Sequence, residues 1–333
     1  MRPKKHLLFR MLFWLALAAA IAWLLWFMTS VPGASHLGAR APLGAAEGEI
    51  EARLRRHVAA IGTREHNLEY PESLEAAARY LEAELAALGY APAAQRFATG
   101  AGEVRNIEAE LAGGARAAEI IVIGAHYDSV AGSPGANDNA TGVAAVLELA
   151  RLMRGAAPAR TLRFVMFVNE EPPYFKSEAM GSLRYARRSR ERGEKVVAMF
   201  SLETLGYYSD RPGSQRYPFP LGFFYPAEGN FVAFVSNLRS RALLHETIAA
   251  FRRHAAFPSE GVAAPAFIPG VDWSDQWSFW KEGYPAVMLT DTAPYRYPHY
   301  HSAQDTPDKV DTDRLARVVS GLNAMLGELA GAR

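Results

Sequence analysis

Two histidines and four carboxylates of this 333-residue chain stand at or just past the ends of apolar runs. They are His126, Asp138, Glu170, Glu171, Glu203 and His301. Imidazole and carboxylate groups are ligands of divalent cations, zinc above all. Open α/β sheets place their ligand crevice at the carboxyl ends of strands, so we expect these side chains to meet over one crevice. The chemistry available to such a set is metal-assisted hydrolysis, with one carboxylate left free as a base.

The first of these positions follow a predicted strand. Four apolar residues, 120–123, are typical of a buried strand, and His126 and Asp128 come just after them. A loop rich in Gly, Ser and Pro then leads to Asp138, in front of an amphipathic run over 140–153 that predicts a helix. Taken alone, an Asp before a helix is an ordinary N-cap and a His after a strand is a surface residue. The metal interpretation therefore depends on the rest of the chain.

Two further apolar runs end on carboxylates. Residues 162–168 predict a strand that runs into Glu170 and Glu171, and residues 196–202 predict another that ends on Glu203. Solvated turns are seldom preceded by seven nearly unbroken core residues. A metal ion neutralises buried charges that would otherwise repel each other, so it gives these glutamates a reason to be there.

A fourth strand is predicted over 286–289, and the loop after it contains two histidines, His299 and His301. Elsewhere, His245 is followed by a glutamate, as in the helix signature of zinc proteases. That signature needs a second histidine at position 249, where this chain has alanine, so it is rejected.

The remaining elements alternate between helix and strand. Helices are predicted over 49–61, 71–88, 178–192, 231–253 and 311–329, an antiparallel strand pair over 94–97 and 106–111, and loops over 207–225 and 258–269. Apolar strands separated by helices predict an α/β protein with a mixed, mostly parallel central sheet flanked by helices.

The amino terminus has the composition of a membrane segment. Residues 11–28 are 18 consecutive apolar residues, with Trp toward both ends and a basic flank before them, and this length spans a bilayer. The basic flank predicts that the amino terminus stays cytoplasmic and that everything after Ser30 is exported. The alternative is a cleaved signal peptide, which needs a shorter apolar core and a small-x-small site that residues 31–34 supply poorly. The expected location is the inner membrane, single-pass, with the catalytic domain periplasmic or extracellular.

The chain therefore divides into three parts. Residues 1–30 are the basic flank and transmembrane anchor, residues 31–48 are a Gly-, Ala- and Pro-rich linker, and residues 49–333 form one catalytic domain. The net charge is +1, and the part after the basic amino terminus is slightly acidic. No nucleic-acid partner is indicated by this charge distribution. The oligomeric state is not indicated either.

Six sequence blocks make the chain recognisable. They are, in order, GAHYDS at 124–129, GANDNATG at 135–142, VNEEPP at 168–173, SLETLGYYSD at 201–210, SDQWSFW at 274–280 and HYHSAQDTPDKVD at 299–311. These blocks resemble the signature blocks of the dizinc aminopeptidase family, which also contains glutamate carboxypeptidases, glutaminyl cyclases and the transferrin receptor ectodomain. The resemblance extends from Glu49 to the carboxyl terminus.

The resemblance implies two zinc ions per chain, each held by one histidine and one glutamate, with an aspartate bridging both. The residues are His126 with Glu203, His301 with Glu171, and Asp138 between them. His301 is preferred to His299 because the family's ligand stands directly before a Ser or Thr, as Ser302 does here. Many family members have aspartate at the position of Glu203, which leaves metal affinity and spacing open. Gln276, where a histidine is frequent, receives no role.

The resemblance also assigns catalytic roles to two further carboxylates. Glu170 becomes the general base, which takes a proton from the attacking water and passes it to the leaving amine. Asp128 resembles the family's carboxylate that orients the imidazole of His126 and raises its basicity. A cis peptide bond between Asp138 and Asn139 is implied as well.

The implied activity is that of a membrane-anchored aminopeptidase acting on peptide substrates. A glutaminyl-peptide cyclase and a carboxypeptidase are the alternatives within the same superfamily, and an inactive binding ectodomain is the alternative without chemistry. A carboxypeptidase needs a cationic pocket, and Arg211, Arg216 and Arg296 are available in the nearby loops. Side-chain preference would come from aromatic loop residues: Tyr207, Phe223, Trp273 and Tyr297.

Overall fold

The computed structural model describes residues 3–332; Met1, Arg2 and Arg333, and with them the start of the predicted basic flank, lie outside the described residues. The helices are α1 (Pro3–Thr29), α2 (Ala45–Ile61), α3 (Pro71–Ala87), α4 (Thr141–Met153), α5 (Gly181–Glu191), α6 (Arg241–His254), α7 (Gln276–Lys281), α8 (Ala293–Arg296) and α9 (Thr312–Ala330). The strands are β1 (Ala93–Thr99), β2 (Gly102–Leu111), β3 (Arg116–His126), β4 (Arg160–Phe167), β5 (Lys195–Glu203), β6 (Val232–Ser236), β7 (Ser259–Ala263) and β8 (Ala286–Thr290).

All the strands described above lie in one sheet, in the order β1-β2-β4-β3-β5-β8-β6-β7. The central strands β4, β3, β5 and β8 are parallel to each other. At one edge the hairpin β1-β2 pairs antiparallel with β4, and at the other edge β6 pairs antiparallel with β8 and parallel with β7. The predicted mixed, mostly parallel sheet flanked by helices is confirmed.

The helices cover both faces of the sheet. Along β3, Ile121 and Ile123 pack into one core with α2, α4 and α9, whereas Ile120 and Val122 pack into a second core with α5 and α7. In a strand that is buried on both faces, apolar residues do not alternate with polar ones, because neither face contacts solvent. This explains the nearly continuous apolar run.

Two predicted elements were wrong. Residues 231–253, expected to be one helix, begin instead with the strand β6, and the loop expected over 258–269 contains β7. In a short apolar run, periodicity alone does not show whether the residues form a strand or a buried helix. Here the boundary is at Asn237, whose side chain accepts a hydrogen bond from the backbone N–H of Ser240 (2.8 Å) and so begins the helical stretch.

The amino-terminal helix α1 is long and apolar enough to cross a membrane over His6–Thr29, a test that a signal sequence near the amino terminus also passes. The residues that follow α1 contact the domain. The backbone N–H of Ser259 donates to Oγ of Ser35 (2.9 Å), and Val31 packs against the main core. The first part of the predicted linker is therefore folded against the domain.

Candidate metal centre

The predicted site residues converge at the carboxyl ends of the parallel strands. His126 and Glu203 are the last residues of β3 and β5. Glu170 and Glu171 follow β4, Asp138 precedes α4, and His301 lies in the long loop after β8. Parallel strands bring their carboxyl ends to one edge of the sheet, so residues from five separate segments share one crevice.

Asp138 lies between the two histidines. Its Oδ1 is 3.3 Å from Nε2 of His126, and its Oδ2 is 3.1 Å from Nε2 of His301. Each imidazole also faces one glutamate: Nε2 of His126 is 3.3 Å from Oε2 of Glu203, and Nε2 of His301 is 3.4 Å from Oε1 of Glu171. The arrangement is thus two His–Glu pairs that share one aspartate.

The imidazole of His126 is oriented by backbone. Its Nδ1 lies 3.0 Å from the carbonyl oxygen of Asp128, so this nitrogen donates and Nε2 is directed into the crevice. The carboxylate of Asp128 also contacts the backbone of the two glutamates. It accepts the backbone N–H groups of Glu170 and Glu171, each at 3.1 Å, while its Oδ1 is 3.8 Å from the imidazole nitrogen. Asp128 therefore positions both glutamates and the histidine at once.

The site brings together more buried carboxyl groups than it has histidines to pair with them. Asp138, Glu170 and Glu171 are all buried. Burial, together with the neighbouring carboxylate of Asp138, raises the pKa of Glu171 to about 7, and burial likewise raises the pKa of Glu170. Such a cluster is stabilised when a cation enters it.

Two carboxylate oxygens of the site lack a hydrogen-bond donor in the part of the chain that the structure describes. Oδ1 of Asp138 and Oε1 of Glu171 are buried and have no hydrogen-bond donor in suitable geometry among the described residues. One ligand atom from each of His126, Asp138 and Glu171 lies within 4.8 Å of the others. Nitrogen and carboxylate oxygen atoms in this arrangement are the donor set that zinc takes.

The segment that carries Asp138 is held from both sides. The peptide bond between Asp138 and Asn139 is cis, as the family resemblance implies. The carboxylate of Asp305 accepts the backbone N–H groups of Asn137 (2.8 Å) and Asp138 (3.1 Å). Nδ2 of Asn139 donates to the carbonyl of Leu202 at 2.9 Å. Asn139 begins an Asn-Ala-Thr glycosylation sequon, but its buried amide is unavailable as an acceptor.

Three residues next to or within the ligand set have left-handed backbones. Asn169 precedes Glu170 with φ 60°, Thr204 follows Glu203 with φ 45°, and His301 itself has φ 53°. Positive φ is costly for residues other than glycine, and such conformations concentrate at functional sites. They turn the chain sharply at the point where each strand delivers a ligand.

Two supporting residues were missed by the sequence reasoning. The hydroxyl of Ser274 donates to Oε2 of Glu203 at 2.7 Å, and the ring of Tyr300 stacks on His301 with centroids 3.8 Å apart. Ser274 and Tyr300 both lie within the six recognised sequence blocks, and this was the feature by which their supporting role could have been found. The contact of Ser274 with Glu203 joins segments 71 residues apart in the sequence, so no local pattern indicates it.

An apolar cavity of about 780 Å³, measured with its open mouth, adjoins the centre beside Glu203 and Tyr300. Tyr217, Leu221, Tyr225, Val271, Trp273 and Met288 are among its lining residues. A second, more polar cavity of about 510 Å³ lies on the other side, next to Glu171 and Asp128. Neither cavity is lined by a Lys or Arg of the described part of the chain.

The three arginines considered for a carboxylate pocket do not enter either cavity. Arg296 is buried, and its guanidinium donates to Oε1 of Gln215 (2.7 Å) and to the carbonyl of Phe231 (2.8 Å). Arg211 and Arg216 are exposed. Of the four aromatic candidates, Trp273 lines the apolar cavity, while Tyr207 and Tyr297 pack against each other and Phe223 is exposed.

Comparison with known proteins identifies the family. The family model described as Peptidase family M28 matches residues 106–325. The uncharacterized protein YfbL of Escherichia coli (strain K12) is 37% identical over 264 residues, which cover 77% of this chain and 80% of YfbL.

Solved structures have the same fold. The aminopeptidase from Aneurinibacillus sp. strain AM-1 superimposes with a TM-score of 0.64 at 18% identity, covering 86% of this chain and 96% of that one. The glutaminyl cyclase of Fimbriiglobus ruber superimposes with a TM-score of 0.60 at 20% identity, covering 88% and 98%. At these identities the likeness concerns the fold.

Proposed function

Because this chain belongs to peptidase family M28 and is a metallopeptidase, we propose that it is a membrane-anchored aminopeptidase that works with two zinc ions. One observation carries the proposal: the two oxygens of Asp138 face the imidazoles of His126 and His301 at 3.3 and 3.1 Å. Asp138 would thus help to hold both ions, and Glu203 and Glu171 would be the remaining ligands, one for each ion.

When bound, the zinc ions supply Lewis acidity, which lowers the pKa of a water and polarises the scissile carbonyl. The chain supplies the proton transfer. Glu170 is not needed as a ligand, and its Oε2 lies 3.9 Å from Nε2 of His126, inside the crevice. It takes the proton of the attacking water and returns it to the leaving amine. Asp128 fixes the backbone of Glu170 and so holds the base in place.

The shape of the site favours the amino end of the substrate. A carboxypeptidase binds the terminal carboxylate with a cation, and the two cavities beside the centre offer neither Lys nor Arg among the described residues. The apolar cavity next to Glu203 fits the side chain of a large apolar or aromatic first residue. The free amine then lies near the carboxylates of the centre.

The second candidate is a glutaminyl cyclase, favoured by the similar fold of the Fimbriiglobus ruber cyclase. A cyclase needs one zinc ion, whereas this chain presents two His–Glu pairs. The paired arrangement supports the peptidase. An inactive ectodomain is disfavoured because the complete donor set and the base are present.

The anchor is the α1 segment 6–29, which is long and apolar enough to span a bilayer. It places the domain on the periplasmic or outer side, because the basic residues precede the apolar run.

A panel of peptides tests the proposal with the full chain in detergent. We expect release of leucine or phenylalanine from free amino termini, no release from acetylated peptides, and normal release from carboxyl-amidated peptides. We also expect a chelator to abolish this activity and zinc to restore it. Cleavage of the amino-blocked peptides from their carboxyl end would instead establish a carboxypeptidase, and ring closure of amino-terminal glutaminyl peptides a cyclase. No turnover of any peptide in the panel would leave the inactive binding ectodomain as the remaining interpretation.

A further inference from the structure

The chain that leaves α1 is clamped to the domain by two arginines of α6. Arg241, the first residue of that helix, donates from Nε to the carbonyl of Phe27 (2.9 Å) and from Nη2 to Oγ of Ser30 (3.1 Å). Its guanidinium also lies 4.1 Å from the centre of the Phe27 ring. The end of the apolar helix is therefore fixed to the start of α6 by hydrogen bonds and a cation–π contact.

Three turns further along α6, Arg252 holds the next residues. Its Nη1 donates to the carbonyls of Pro32 (3.0 Å) and Gly33 (2.8 Å), and its side chain is 6% exposed. Between the two arginines, Val31 packs closely on β7: a Cβ placed on Gly261 would lie 2.9 Å from Cγ1 of Val31. The segment has no freedom to act as a flexible tether.

These contacts fix a direction. Phe27 lies beside the start of α6, which follows the carboxyl end of β6, and Ser35 lies beside the first residue of β7. The segment 27–35 thus runs against β7, and α1 leaves the domain at the carboxyl ends of β6 and β7.

The metal centre lies at the opposite end of the same sheet. β6 is antiparallel to β8, so that Ala233 near the start of β6 pairs with Thr290 at the end of β8. The ends of β3 and β5 with His126 and Glu203 are on that side. Five-residue strands such as β6 separate the two ends by roughly 17 Å.

Exposed apolar side chains follow the carboxyl ends of β6 and β7, the end of these strands at which α1 leaves. Leu238, just after β6, is 39% exposed, and Phe267, four residues after β7, is 85% exposed. Arg239 beside Leu238 is also exposed, and Trp26 on the last turns of α1 is 60% exposed. Tryptophan and arginine next to apolar groups are typical of the membrane–water interface.

We propose that the surface formed by Leu238, Arg239 and Phe267 rests on the phospholipid headgroups, and that the clamp holds the metal crevice facing away from the bilayer. This inference depends on the membrane anchor proposed above. Its consequence is a domain with one fixed orientation, so that substrates reach the crevice from the aqueous compartment and not along the lipid surface.

The chain contains no cysteine, so single labelling sites are easily introduced. Nitroxide labels are placed in the full chain, in nanodiscs of phosphatidylcholine and phosphatidylglycerol, at four positions: Ala18→Cys within α1, Leu238→Cys and Phe267→Cys on the proposed surface, and Asp308→Cys on the crevice side. Collision rates with oxygen and with a water-soluble nickel chelate give the depth of each label.

We expect the Ala18 label to lie in the hydrocarbon, the Leu238 and Phe267 labels at the headgroups, and the Asp308 label in water. An Ala18 label in water would overturn the anchor itself. An Ala18 label in hydrocarbon, with the Phe267 label as accessible to nickel as the Asp308 label, would overturn the fixed orientation alone. With one chain per nanodisc, we expect no spin–spin broadening of the Phe267 label. Broadening that appears when each nanodisc holds several chains, with the label shielded from lipid, would assign the surface to a second copy and overturn the proposal.

A clamp variant provides a second measurement. Arg252→Gln removes the contacts to Pro32 and Gly33, and we expect the Phe267 label to become mobile and accessible to nickel. The control is Arg253→Gln, which changes the adjacent, exposed arginine that pairs with Glu328. Unchanged depth in both variants would show that the clamp does not set the orientation.

Discussion

The carboxylate of Asp138 is placed symmetrically between two imidazoles, with Oδ1 3.3 Å from Nε2 of His126 and Oδ2 3.1 Å from Nε2 of His301. The backbone of this segment is held by Asp305, whose carboxylate accepts the N–H groups of residues 137 and 138 from a loop 167 residues beyond Asp138. The two halves of the centre are thus coupled through a single side chain.

This coupling predicts that Asp138→Asn affects both metal sites together. The amide has one oxygen and no negative charge, so it cannot bridge two cations. We expect bound zinc to fall well below one ion per chain and turnover to fall with it. Elemental analysis of dialysed protein measures the zinc. Asp308→Asn, at an exposed aspartate on the same side of the sheet, should retain the full content. Loss of one ion only would contradict the bridge.

Glu170→Gln tests the base separately from the metal. The amide keeps the size of the side chain and cannot accept a proton, so kcat should fall by roughly 10²–10⁴-fold. Zinc content and KM should change little, because Glu170 is not among the ligands. Glu72→Gln, at an exposed glutamate in the first turn of α3, is the matched control. A nearly normal kcat in the Glu170→Gln variant would remove Glu170 from the mechanism.

Ser274→Ala tests support of a metal ligand. Without the hydroxyl donated to Glu203 at 2.7 Å, the carboxylate is less well oriented, and removing such a partner typically costs 10–100-fold in metal affinity. Competition with a zinc chelator measures the change. Ser278→Ala removes an equally buried hydroxyl that contacts Ser182 instead, and it should leave zinc affinity unchanged. Equal weakening in both variants would indicate general loosening of this segment.

The stability of the fold should depend on His57 in mildly acidic solution. This buried imidazole between α2, α3 and α4 faces the hydroxyl of Tyr80 at 2.8 Å, the carboxylate of Glu148 at 4.0 Å and the nearby charge of Arg56. Burial, reinforced by Arg56, lowers its pKa to about 4 from 6.5.

Since the folded pKa is the lower one, the unfolded chain binds the proton first, and folding is penalised as the pH falls from 6.5 to 4. The full penalty is about 3 kcal/mol. In His57→Gln the decline of Tm across this window should be shallower than in the original chain, whereas the exposed His254→Gln should keep the original slope. Parallel curves for all three proteins would contradict the assignment to His57.

Much of the centre could be predicted from sequence because several of its residues end or closely follow locally visible apolar strands. β3 leading to His126, β4 leading to Glu170 and β5 ending on Glu203 all have this form. The parallel arrangement of these strands then brings the ligands together without further information. The hydrophobic pattern could not predict that residues 232–236 form a strand, because that strand depends on pairing with β8.

The roles of the supporting side chains were less accessible. Asp128 was expected to orient His126 through its carboxylate, but its backbone carbonyl does so and the carboxylate binds the N–H groups that follow β4. Whether the carbonyl or the carboxylate of Asp128 contacts the imidazole depends on differences in distance below one ångström in a folded loop. Likewise, Ser274 and Asp305 act across 71 and 167 residues of sequence, a range that no local spacing encodes.

The tip of the β1-β2 hairpin, at Ala101, belongs to the far edge of the sheet and yet lines the polar cavity next to Glu171. If the first residue of a peptide occupies the apolar cavity, as proposed above, the residues beyond the cut bond would pass this turn in the polar cavity. A surface turn tolerates insertions that a strand end bearing a zinc ligand does not. Lengthening this one exposed turn is therefore expected to change which downstream sequences this chain accepts, with the reaction chemistry left untouched.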